Sequence, residues 1–104
     1  VAALAPLPGE VVVVKRRTGA FSTTDLAAVL RARDIDTVVL AGVATGGSVL
    51  STLREAADLD YRIVVLADGC ADPDDEVPRI LCTRVFPRQA LVLNTSEFAA
   101  TLPT

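Results

Sequence analysis

Residues 42–48, GVATGGS, put small residues where an apolar run ends and a helical pattern begins. Such a turn gathers backbone N–H groups at a helix N-terminus, a setting that favours an anion or a developing oxyanion. Ser48 stands just inside the helix, as an attacking group, the relic of one, or a residue that helps the helix start. The plainer alternative is a tight glycine turn capped by Thr45 or Ser48. A phosphate loop is excluded, because the lysine of G-x-x-x-x-G-K-[ST] is absent and G-x-G-x-x-G is not matched. Lys15 ends another apolar run and is a second candidate for chemistry, with a solvated strand-end lysine as its plainer alternative. The acidic residues Asp72, Asp74, Asp75 and Glu76 suggest a cation site by composition. A helix start that favours negative charge accounts for them more simply.

The chain has no histidine, which removes whole classes of chemistry. No Ser-His-Asp or Cys-His pair can be assembled within it. A histidine-based zinc site is excluded too, and two cysteines are too few for a structural zinc. Any acid or base must be Asp, Glu, Lys, Tyr or Cys. Cys70 and Cys82 have the character of reduced thiols in a cytoplasmic protein rather than of a disulfide framework.

The elements that must position these residues follow a strand–helix rhythm. EVVVVKR (10–16), DTVVLAG (36–42), YRIVVLAD (61–68) and ALVLNT (90–95) are continuous apolar or β-branched runs, expected as strands buried on both faces. Between them, 22–34 is expected as a helix with Ser22 and Asp25 spaced as a capping box. Residues 46–60 carry an apolar stripe of Val49, Leu50, Leu53 and Ala57. A third helix is expected over 74–86, with Pro78 in a position a first turn tolerates, and a short one over 96–102. This alternation predicts one α/β domain over 1–104 with a mainly parallel sheet. Chemistry in such sheets gathers at the carboxyl ends of the strands, here 15–21, 42–48 and 68–75.

Composition sets the outer bounds. The 104 residues are 51% hydrophobic with a net charge of −3 and no basic tract, which argues against nucleic acid or an anionic membrane as partner. No apolar run approaches the roughly 18 residues of a membrane span, and no signal peptide is visible. The absence of methionine means the chain does not open at an ordinary start residue, so processing, truncation or an alternative start is expected.

Taken together, VVVVKRRTGAF and the stretch from DLAAVLRARD through LAGVATGGSVLST to VVLADGCAD resemble the isochorismatase-like hydrolase superfamily from about Glu10 to Phe86. That family carries a lysine six residues before the phenylalanine of an A-F pair, then G-V-x-T-x-x-C-V-x-x-T opening a helix. Lys15 stands six before Phe21, and Gly42, Val43, Thr45, Val49 and Thr52 fill the second motif. The resemblance implies hydrolysis of a small-molecule amide or vinyl ether without a cofactor. It implies a triad of lysine, cysteine and an aspartate from the first strand. Mapped here, Lys15 takes the lysine role and Ser48 the nucleophile position. Ala44 and Ser48 would supply oxyanion N–H groups, with a cis peptide expected at Val43–Ala44.

Two departures matter. The nucleophile position holds serine, a hydroxyl that needs a dedicated base where a thiol of pKa ~8.5 does not. The aspartate-bearing first strand is absent, and Cys70 matches a non-catalytic position. The resemblance implies a parallel, Rossmann-like three-layer sandwich of sheet order 3-2-1-4-5-6, of which this chain would hold strands 3 to 6 and lack the first two. Three outcomes are open: a rearranged sheet, a partner chain filling the gap with the protein a homo-oligomer, or a longer parent protein. The alternative function is a non-catalytic binding or assembly domain of the same fold.

Overall fold

The computed structural model describes residues 5–103. Three parallel strands, β1 (Thr37–Val43), β2 (Arg62–Ala71) and β3 (Leu91–Leu93), form one sheet in that order. Helices α1 (Leu26–Ala32), α2 (Leu50–Asp58), α3 (Glu76–Ile80) and α4 (Thr95–Ala100) alternate with them. A π-helical turn over Thr45–Val49 leads into α2, and another over Leu81–Val85 follows α3 before a 3-10 turn at Phe86–Arg88. Parallel neighbours need a crossover, and α2 and the 76–88 segment supply the two required here. The α/β class and parallel sheet expected from the rhythm are the architecture found.

The run 10–16 departs from expectation. It makes no strand, and Val11, Val12 and Val14 are exposed. A strand exists through the ladder it makes with a neighbour. Here the run lies over α1 instead, where Val11 and Val13 share a cavity of about 260 Å³ with Leu26, Val29 and Leu30. Full burial of β1 is also corrected. Its residues alternate between exposed and half-buried, because Val39 and Val43 sit on a face without cover, Val43 at 70% exposure.

The core lies between α2 and the sheet. Val49, Leu53 and Ala56 come from the helical side, Ile63 and Val65 from β2, and Phe21 and Phe86 complete it. The expected stripe thus extends to Ala56, which is fully buried. Phe21 stacks on Tyr61 with ring centroids 5.7 Å apart, tying the segment before α1 to the start of β2.

Three boundaries move for local reasons. The Ser22–Asp25 capping box does not form; Thr24 Oγ1 instead accepts from Leu26 N at 3.3 Å, and α1 starts at Leu26. The capping box is at α4, where Asn94 and Glu97 bond each other's backbone N–H. Strand β2 runs on to Ala71 because its pairing with β1 slips after Leu40–Val65, resuming with Gly42 opposite Cys70. Gly42 sits at that slip with φ +133°, a conformation open to glycine and costly for other residues.

Candidate active site

The 42–48 turn leaves the carboxyl end of β1 through a cis Val43–Ala44 peptide, as the resemblance implies. The Ala44 carbonyl closes the turn by accepting from Gly47 N at 3.1 Å and Val49 N at 3.2 Å. Neither Thr45 nor Ser48 caps it. Thr45 is fully buried and donates from Oγ1 to the Ala71 carbonyl at 2.9 Å, pinning the turn to the end of β2. Asp72 Oδ2 accepts from Gly46 N at 3.0 Å, a second pin from the same loop. Ser48 is half-buried and opens onto a cavity of about 190 Å³ shared with Ala20, Val39, Val43 and Thr52. Among the described residues no charged side chain lines that cavity.

The segment carrying Lys15 crosses the start of α2. Thr52 Oγ1, on a nearly buried side chain, accepts from Ala20 N at 3.0 Å. Glu55 Oε1 accepts from Phe21 N at 3.4 Å. Thr18 lies beside Gly47. Ala20, Ser48 and Thr52 therefore meet at one cavity, and three of the motif positions come together. Lys15 itself is exposed, donates from Nζ to the Arg17 carbonyl at 2.7 Å, and does not line the cavity.

The carboxylates at the strand ends are committed elsewhere. Asp68 Oδ1 accepts from Thr95 Oγ1 at 2.7 Å and Thr95 N at 2.8 Å, and the hydroxyl bond above all holds its carboxyl below the usual range. Asp72 also accepts from Asp74 N, and Asp74 from Glu76 N, so the acidic run serves turn and helix starts. Among the described residues no three acidic or cysteine side chains converge as a metal would require. Cys70 and Cys82 are free and half-buried, and desolvation pushes both thiols up, away from the thiolate.

Sequence reasoning named Thr45 and Thr52 as motif positions but not their partners, and it missed Glu55. A signal was present: Thr45 and Thr52 fall on the same helical face as Val49, Leu53 and Ala56. A hydroxyl on a core-facing stripe must bond a backbone group or go unsatisfied.

Residues 1–97 match the Isochorismatase domain family. The chain is 42% identical over 90 residues to the uncharacterized isochorismatase family protein YwoC of Bacillus subtilis, covering 86% of this chain and 48% of that protein. It is 39% identical over 95 residues to the ureidoacrylate amidohydrolase RutB of Stutzerimonas stutzeri, covering 91% and 35%. An isochorismatase family protein from Burkholderia thailandensis superposes with a TM-score of 0.95 at 38% identity, covering all of this chain and 55% of that one. The chain thus spans about half or less of the length of each of these proteins. Family match, identity and superposition agree: the chain belongs to the isochorismatase family.

Proposed function

We propose that the chain forms part of a hydrolase site for small-molecule amides. The 42–48 turn cradles the oxyanion with N–H groups of Ala44 and Ser48, Lys15 manages the proton, and Ser48 holds the attacking position. The carrying observation is the turn itself, a helix start behind β1 that opens Ser48 onto a cavity shared with Ala20 and Thr52. Kinship with ureidoacrylate amidohydrolases supports an amide over a vinyl ether. Hydrolysis adds water across the C–N bond and needs a base to take the attacking group's proton, the part an aspartate plays in the family triad. Among the described residues no carboxylate lines this cavity, so this reading leaves that part to the aspartate the family resemblance implies.

The second reading, a non-catalytic binding or assembly domain, is favoured by Ser48 standing without a titratable neighbour at its cavity. The test is turnover of ureides and primary amides by the protein as its source expresses it. The hydrolase reading expects saturable turnover that falls about 10²-fold or more in Lys15→Ala. No turnover above buffer, with the protein folded, supports the non-catalytic domain instead.

A further inference from the structure

We infer that Glu55 is a positioning residue, acting with Thr52 as a two-pronged clamp that sets the segment bearing Lys15 against the helix bearing Ser48. Thr52 and Glu55 lie three residues apart on α2, hence on one helical face. They take consecutive backbone donors, Ala20 N at 3.0 Å and Phe21 N at 3.4 Å. Two bonds to neighbouring amides fix both the place and the register of a segment. The stacked Phe21–Tyr61 rings hold it just beyond the second bond.

Gly19 completes the device. It is buried, and a Cβ there would overlap Glu55 Oε1 and crowd the rest of the carboxylate. The obstacle is the far end of a flexible side chain, so alanine fits only by expelling that carboxylate from its bond to Phe21. Gly19→Ala therefore acts on the clamp without reaching the core, and it mimics Glu55→Ala from the opposite side. The part of the test that uses turnover rests on the hydrolase reading; the rest does not.

The experiment follows amide hydrogen exchange at Ala20 and Phe21, together with the Lys15 Cε resonance, in wild type and variants. Thr52→Val is expected to speed exchange at Ala20 about tenfold, as loss of one hydrogen bond would. Glu55→Ala and Gly19→Ala are each expected to speed Phe21 several-fold and to shift Lys15 alike. The double variant should exceed neither, and Glu55→Gln, which keeps the acceptor, should stay at the wild-type rate. Wild-type exchange at Phe21 in Gly19→Ala, or a Lys15 resonance unmoved in both single variants, overturns the inference. Where wild type turns over amides, Glu55→Ala should lower kcat and leave KM within about twofold; an unchanged kcat also overturns it. Where the protein as its source expresses it does not, the hydrolase reading fails and the exchange result alone decides the clamp.

Discussion

A serine hydroxyl attacks only when a base takes its proton, and Ser48 faces a cavity lined by alkyl groups and one other hydroxyl. The 104-residue chain should therefore show negligible amidase activity, and Ser48→Cys should not restore it. A thiol still lacks the carboxylate, and losing one member of a cooperating set forfeits most of an effect of about 10⁴–10⁶-fold. Saturable amide turnover by Ser48→Cys, lost in Lys15→Ala, would place a carboxylate within the chain. Asp72 would then come before Asp68, which is occupied by Thr95. Asp68 carries a prediction of its own. Its carboxyl titrates below the ordinary 3.8 when folded, so its ionised form favours the native state. That contribution is present above the ordinary value and fades as pH falls through the lowered one. Urea midpoints of wild type and Asp68→Asn should differ at neutral pH and converge in acid; a gap that widens in acid contradicts this. The motif residues were legible because side-chain type and spacing carry the chemistry. The partners of Thr45, Thr52 and Asp68 were not, because each bond joins residues at least 26 positions apart.

Among the elements, α2 and the three strands were legible because an apolar stripe or run marks each one. The 10–16 run shows where such reasoning stops. Four successive valines state a preference for a ladder, but the ladder belongs to whatever lies alongside. The two capping boxes make a similar point. Ser22–Asp25 had the spacing without the geometry, since Thr24 already held the start of α1. At Asn94 the residue is at the boundary between β3 and α4 and bonds Glu97 N at 2.7 Å. Asn94→Ala should cost about 1 kcal/mol in chemical denaturation, the usual worth of an N-cap. Ser22→Ala should cost less than half of that, and equal losses would put the cap assignment in error.

For the molecule as a whole, β1 is the last strand of the sheet on one side, and its own Val39 and Val43 are exposed. An apolar edge of that kind invites pairing with another chain. Self-association is accordingly expected, and light scattering that reports only a 10.9 kDa species at high concentration would contradict it. Lysine at Val39 or Val43 should shift the balance toward the monomer. The Phe21–Tyr61 stack has an optical consequence. Tyr61 is the chain's one tyrosine and there is no tryptophan, so intrinsic fluorescence comes from a single ring. That ring touches the clamped segment, and its residue immediately precedes β2. Its emission therefore reports release of the Lys15 segment, while circular dichroism reports loss of the helices. If the two signals part company during a denaturant titration, the segment lets go before the core does.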